Sequence, residues 1–218
     1  PMWDAERRHG SLFDRTPSGS GLLDGSMGHL KIGVRIKRFH IREDRRGQKF
    51  EASFLGSIFA LVEEQDTTPN KLYAEYHFTE FFGMGLMYDK IRAKTWDGGT
   101  DGVFEISGPA LYAVARYPNE SPLTPYGQLG LVFYDAVFDH NPDWHEDGKR
   151  IMDVRGQMGI LVAGGCDYAV LEQFGFDVNV SYIAADVDAA YYFYDELKAE
   201  STFPLDHYGV SAGLWYRF

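Results

Sequence analysis

The chain has a single cysteine in 218 residues and no apolar run long enough to cross a bilayer as a helix. The first shortage excludes an internal disulfide framework, and Cys166 reads as a small buried or lipid-facing residue rather than a reactive thiol. The second excludes an ordinary transmembrane helix, which needs roughly 18 or more consecutive apolar residues. Positive charge is also scarce: 21 Lys and Arg stand against 32 Asp and Glu, a formal net charge of -11. A phosphate backbone repels such a chain overall, so no nucleic acid partner is expected. No basic-then-apolar leader opens the sequence, but it starts at Pro1 rather than Met and reads as a processed or trimmed product, so that absence excludes nothing. No motif implies a cofactor.

What is abundant is glycine (24) and aromatic residues (14 Tyr, 16 Phe), in a chain whose mean hydropathy is only -0.31. Strands with one face in lipid and the other in water average to such a value. The carboxyl end shows the pattern: Tyr208, Val210, Ala212, Leu214, Tyr216 and Phe218 fall on one face of a strand, and His207, Gly209, Ser211, Gly213, Trp215 and Arg217 on the other. Period alone does not say which face is wet, and the last strand of a soluble lipocalin-type barrel has the same alternation.

Further strands follow the same period. Leu30, Ile32, Val34 and Ile36 alternate with Lys31, Gly33, Arg35 and Lys37; Leu72, Ala74, Tyr76 and Phe78 with Tyr73, Glu75 and His77; Met84, Leu86 and Tyr88 with Gly83, Gly85, Met87 and Asp89. A fourth strand is expected from Val103 to Tyr117, its facing ambiguous, with Pro109 at a bulge or edge. A fifth runs from Tyr126 to about Phe138, a sixth over about 155–170, and a seventh has Phe176, Val178, Val180 and Tyr182 opposing Asp177, Asn179 and Ser181. His140–Val154 and Asp186–Pro204 read as loops, and 42–70 as a long connection in which Phe54, Leu55, Ile58, Phe59 and Val62 fit a short helix or a continuing strand. Residues 1–27 read as an extension and 28–218 as the barrel.

Eight strands with short turns after the even ones and long connections after the odd ones point to an all-β, eight-stranded antiparallel transmembrane barrel, with short periplasmic turns and longer extracellular loops. The polar faces agree. Lys31, Arg35, Lys37, Glu75, His77, Asp89, Asp167, Asp177 and Arg217 share one side, which a soluble barrel would have to bury in its core. They are expected to line the lumen, either as an electropositive wall that selects anions or as a plug of paired charges. Phe81, Phe82, Tyr117, Tyr126, Phe174, Trp215, Tyr216 and Phe218 lie near turns and read as an interfacial girdle.

Several segments resemble the OmpW family of eight-stranded outer-membrane barrels: Leu72–Leu86 (LYAEYHFTEFFGMGL), Ser107–Leu111 (SGPAL), Thr124–Gly130 (TPYGQLG), Gly165–Tyr168 (GCDY), Val180–Asp188 (VSYIAADVD) and Ser211–Phe218 (SAGLWYRF). Small barrels of the OmpA and OmpX type share the Pro-Tyr hairpin and the Tyr-Arg-Phe ending. The resemblance spans about 29–218 and implies a bacterial outer-membrane location and a narrow, partly hydrophobic interior that passes or holds small apolar molecules. It also implies that Leu214, Tyr216 and Phe218 form the C-terminal signal read by the barrel-insertion machinery. The basic first strand departs from the family pattern and favours a plugged or anion-friendly lumen.

Other chemistry is sparse. His140, Asp143 and His145 are a weak candidate for a divalent cation, although an acidic surface loop explains them equally. His207 and Ser211 face the same side but lie four residues apart, roughly 13 Å on a strand, too far for a nucleophile and its base. No enzyme is expected. The leading expectation is a narrow channel or binding barrel for small, largely apolar solutes, embedded in the lipid bilayer and meeting lipopolysaccharide. The alternative is a structural or scaffolding barrel with a plugged lumen, binding a protein partner through its N-terminal extension or loops.

Overall fold

In the computed structural model, residues 28–42, 62–63, 71–94 and 102–218 are described. Thirteen strands occupy them: β1 His29–Ile41, β2 Val62–Glu63, β3 Lys71–His77, β4 Phe82–Lys94, β5 Gly102–Arg116, β6 Leu123–Phe133, β7 Asp135–His140, β8 Arg150–Gly156, β9 Met158–Ala169, β10 Phe174–Ala184, β11 Asp186–Phe193, β12 Glu196–Pro204 and β13 His207–Arg217. A single turn of helix, α1 (Pro142–His145), follows β7.

The order β1-β3-β4-β5-β6-β9-β10-β13, with β13 returning to β1, closes an eight-stranded antiparallel barrel. Closure leaves no exposed sheet edge, so every spanning backbone group finds a partner inside the wall. Short turns join β3 to β4, β5 to β6 and β9 to β10 at one rim. At the other rim β7, β8, β11 and β12 carry four of the strands upward, with β8, β11 and β12 forming a separate three-stranded sheet.

Those upward strands correct two readings. Residues 150–154, 186–193 and 196–204 are strands and not loops, with a two-residue turn at Tyr194 and Asp195. The cause is an inversion of face polarity part-way along β1, β4 and the run from β10 into β11. In the lower storey of these strands most inward residues are charged, polar or glycine and the outward ones apolar, as with Lys37 inside and Ile36 outside β1. In the upper storey β1 turns Phe39 and Ile41 inward and Arg38 and His40 outward. β4 buries Ile91 and Ala93 and exposes Arg92 and Lys94, while β11 buries Val187 and Ala189 beneath outward Asp186 and Asp188. The inversion marks the upper limit of the hydrocarbon layer: below it the wall meets lipid, above it water.

β5 has its even residues inward, which settles its facing. Pro109 sits where β5 changes partner, between the last β7 pair (Ser107 with Asp135) and the first β6 pair (Ala110 with Val132), so its missing N–H costs no ladder bond on that side. Here the wall also opens a seam. β6 and β9 stay paired up to Phe133 and Met158, and the Tyr134 amide donates to the Gln157 carbonyl at 3.3 Å. Above that point β7 follows β5 and β8 follows β11, and no ladder joins β7 to β8 among the described residues. Gly156 is required at the divergence, since a Cβ there would meet the Tyr134 carbonyl oxygen at 2.3 Å.

Two aromatics leave the expected girdle. Tyr126 and Trp215 point into the lumen and are buried, whereas Phe81, Phe82, Tyr117, Tyr216 and Phe218 are exposed on the outer face or the turn-side rim and Phe174 is partly buried. Parity along the strand, and not nearness to a turn, decides the side. Cys166 lies on the lipid-facing side of β9, opposite Val178. The extension 1–27 and most of the possible helix over 54–62 lie outside the described residues; Val62 itself belongs to β2, paired with Lys94.

Candidate functional site: an ionic floor beneath an apolar cluster

The lower lumen is filled by charges in three tiers. Nearest the turns, Lys31 Nζ donates to both oxygens of Asp167 at 2.9 Å and to Glu75 Oε2 at 3.2 Å, and Arg116 reaches Asp167 at 2.8 Å. Glu75 Oε1 also accepts from the Tyr112 hydroxyl at 3.0 Å and from Gln128 at 2.9 Å. His77 lies 3.3 Å from Glu75 and stacks on His29, with ring centroids 4.8 Å apart. In the middle tier Arg35 meets Asp177 at 2.6 Å. The Tyr126 hydroxyl accepts from Arg35 at 3.0 Å and donates to Asp177 at 3.0 Å. The guanidinium of Arg35 rests 3.9 Å from the centre of the Tyr73 ring, a cation–π contact in a dry setting.

In the top tier Asp89 is the hub. It accepts from Lys37 at 2.7 and 2.8 Å and from the Tyr134 hydroxyl at 2.7 Å, and it faces Lys71 at 3.5 Å and His207 at 3.8 Å. His207 Nδ1 donates to the Leu205 carbonyl at 2.9 Å, which leaves Nε2 as the acceptor toward Lys37 at 3.4 Å. Lys31, Arg35, Lys37, Lys71, Glu75, Asp89, Asp167 and Asp177 are each no more than 2% exposed. Buried charges at such density persist because each is paired and hydrogen-bonded.

Glycines make room for the ring systems of the floor. A Cβ on Gly33 would lie 2.4 Å from the Tyr73 ring, and one on Gly85 2.4 Å from Tyr112. Each tyrosine thus covers a bare patch of neighbouring strand, the arrangement known to pin register in glycine-bearing sheets.

Above Asp89 the lining changes to Phe39, Ile91, Phe104, Ile106, Phe138 and Val187, all buried. The upper interior is therefore a buried apolar cluster, bounded below by the ionic floor and flanked by the seam between β7 and β8.

Each site residue read from the sequence has a definite place. Lys31, Arg35, Lys37, Glu75, His77, Asp89, Asp167 and Asp177 form the floor. Arg217 lies half-buried at the turn-side rim, 5.5 Å from the Trp215 ring centre. Leu214, Tyr216 and Phe218 face outward. Lys71, Arg116, Tyr73, Tyr112, Tyr126, Tyr134 and His207 belong to the floor as well, and the period-two pattern carries the signal for them: Lys71 has the parity of Glu75, and Arg116 that of Tyr112.

His140 and His145 come together with ring centroids 5.1 Å apart, each already tied to β8: His140 Nε2 accepts from the Met152 amide at 2.7 Å, and His145 Nδ1 donates to the Arg150 carbonyl at 2.6 Å. Burial first, and the neighbouring His145 second, push the His140 pKa below its usual value. Asp143 instead opens α1, its amide held by the Asn141 side chain at 3.1 Å. No three His, Cys, Asp or Glu side chains converge on a metal position among the described residues. Ser211 Oγ and His207 make no hydrogen bond to one another.

Comparison with known proteins agrees with this geometry. The OmpW family model matches residues 31–218. The outer membrane protein AlkL in lipid bilayers is similar over 95% of this chain and 97% of its own, with a TM-score of 0.64 at 15% identity. The outer membrane protein OprG from Pseudomonas aeruginosa gives 88%, 95%, 0.59 and 15%, and Neisserial surface protein A 88%, 97%, 0.51 and 15%. At that identity the likeness is one of fold. No curated protein matches the chain.

Proposed function

The chain belongs to the OmpW family, as a β-barrel of the bacterial outer membrane, and we propose that it takes small, largely apolar solutes from outside into the apolar interior above its floor. The observation that carries this reading is the inversion of face polarity. The inward turn of Phe39, Ile106 and Phe138 gives the upper interior an apolar environment, which favours solutes that leave water readily. The ionic floor blocks a straight path to the other rim. The seam between β7 and β8, which no ladder closes and which the His140–Met152 hydrogen bond bridges at 2.7 Å, is then the natural side opening of the wall, above the hydrocarbon layer.

The test is uptake of an apolar fluorophore by liposomes bearing the purified protein. Ile106→Lys, which places a cation in the apolar interior, is expected to cut uptake at least tenfold, whereas Ile36→Val on the lipid face leaves it unchanged. Uptake insensitive to Ile106→Lys overturns the reading.

The completeness of charge pairing in the floor favours a second reading, a sealed structural barrel that works through its extension or loops. Its signature is a barrel silent in both planar-bilayer conductance and fluorophore uptake, with co-purification of a partner that depends on residues 1–27.

A further inference from the structure

The inward positions nearest the turns bring four nitrogen-rich side chains to the turn-side mouth of the lumen: His29 on β1, His77 on β3, Arg116 on β5 and Arg217 on β13. His29 stands opposite His77 in the ladder and stacks on it at 4.8 Å, and Arg217 stands opposite Lys31. Arg116 arrives from across the lumen, since it shares Asp167 with Lys31, at 2.8 and 2.9 Å. His29, Arg116 and Arg217 lie within electrostatic reach of one another. Four buried nitrogens here have no hydrogen-bond partner: His29 Nε2, His77 Nδ1, Arg116 Nε and Arg217 Nε. The carboxylates nearby are already engaged. Asp167 is shared by Lys31 and Arg116, and Glu75 is held by Lys31, His77, Tyr112 and Gln128. Arg217 makes no ion pair among the described residues, and the exposed Glu172 of the β9–β10 turn acts on it only at longer range. Lys31, Arg116 and Arg217 thus face two inward carboxylates, and one positive charge is left over.

We infer that this mouth binds the phosphate group of a small soluble solute on the periplasmic side, at a site separate from the apolar interior above the floor. Buried N–H groups are nearly always paired, and orphans gathered at one height beside an unmatched cation are satisfied by a shared oxyanion. Arg116 spends Nη2 on Asp167 and keeps its Nε–H, while Arg217 keeps its whole guanidinium, so two planar, forked donors face one mouth. His29 Nε2 adds a neutral donor, its ring fixed by the stack on His77. His77 Nε2 lies against Glu75, so its Nδ1 becomes a fourth donor only in the imidazolium form. Donors from β1, β5 and β13 approach from both sides of the lumen, which suits the tetrahedral oxygens of phosphate better than a planar carboxylate. Their inward parity points to a ligand from the periplasmic solution and away from a lipid headgroup outside the wall. An open groove of about 260 Å³ at this rim, lined by Arg116, Tyr117, Pro125 and Tyr126, gives a phosphomonoester room for its organic part.

The experiment is calorimetric titration of the intact chain, in uncharged detergent micelles, with inorganic phosphate and with glycerol 3-phosphate, against acetate and chloride as comparison anions. Both phosphates are expected to bind saturably in a chloride background, and acetate more weakly. Arg217→Gln, which breaks no ion pair, is expected to weaken phosphate binding about tenfold, the loss of one charge-assisted contact. His29→Phe, which keeps an aromatic ring against His77 and removes the Nε2 donor, is expected to lose about fivefold. Arg38→Gln, on the outer face toward the far end of β1, leaves binding unchanged. Failure of the intact chain, in which residues 1–27 lead into this mouth, to bind either phosphate overturns the inference. So does binding unaltered in both mouth variants, or binding that chloride displaces at equal concentration, which marks an adventitious ion only. Acetate held as tightly as phosphate overturns phosphate as the class of ligand.

Discussion

Replacing Asp89 by Asn tests the logic of the floor with little change of shape. The amide oxygen still accepts from Tyr134, so what disappears is the negative charge between Lys37 at 2.7 Å and Lys71 at 3.5 Å, both 2% exposed. Removing one partner of a buried ion pair costs about 3–5 kcal/mol, because the other charge is left without compensation. Two lysines depend on Asp89, so the loss belongs at the upper end of that range. Tyr134→Phe, which removes only a hydroxyl donor, is expected to cost about 1–3 kcal/mol. Adding Lys37→Met to Asp89→Asn removes one stranded cation and is expected to recover about half of the loss. Adding Lys71→Met as well returns stability close to the starting protein, since apolar replacement of a whole buried ionic group is often neutral. Urea unfolding in detergent, followed by tryptophan fluorescence, reads all four variants. If Asp89→Asn lies within about 1 kcal/mol of the parent, or if removing the lysines makes it worse, the charges of the floor are not coupled as the geometry requires.

Further outcomes follow from single contacts. Gly33→Val, whose Cβ would overlap the Tyr73 ring, is expected to lose about 1–3 kcal/mol in the same unfolding assay, whereas Gly127→Ala, with nothing nearer than 3.9 Å, stays within about 0.5 kcal/mol. For His140, burial lowers the folded pKa below the unfolded value of about 6.5, so the neutral ring contributes stability that is full above pH 6.5 and is lost as pH falls through the folded pKa. Protonation also removes the Nε2 acceptor of the Met152 amide, so the hydrogen-exchange protection factor of Met152 is expected to drop as pH falls through the folded pKa of His140 and to be pH-independent in His140→Asn. Cys166, on the lipid side of β9, is expected to react with an apolar maleimide in liposomes and to resist a charged one; rapid modification by the charged reagent refutes its placement.

The lower storey was legible because its alternation is strict. Every second residue of β1, β10 and β13 carries the same chemistry for the full crossing, and period two assigns the faces without knowledge of the fold. The upper storey was not, because the sign of the alternation reverses there: Asp186, Val187, Asp188 and Ala189 alternate as cleanly as Phe176 and Asp177, but with the apolar residues inward, and beside acidic and turn-forming residues the run resembles a loop. The partners within the floor are a matter of closure. Lys31 pairs with Asp167, 136 residues away, because the stagger of eight strands brings β1 and β9 to the same height across the lumen, a quantity that no single strand contains. Tyr126 and Trp215 were misplaced by nearness to turns, although their parity with Gln128 and Arg217 already put them inside.

A strand whose two faces exchange character part-way along can float at one depth only. Pushing β1 inward by a single pleat would carry Arg38 into hydrocarbon, at a cost that rises from about 0–1 kcal/mol at the interface to about 2–4 at mid-membrane. Drawing it outward would lift Ile36 into water. Since β4 and the run from β10 into β11 carry the same exchange, the barrel bears its own waterline, and its draught in the membrane is set by these strands before any loop takes part.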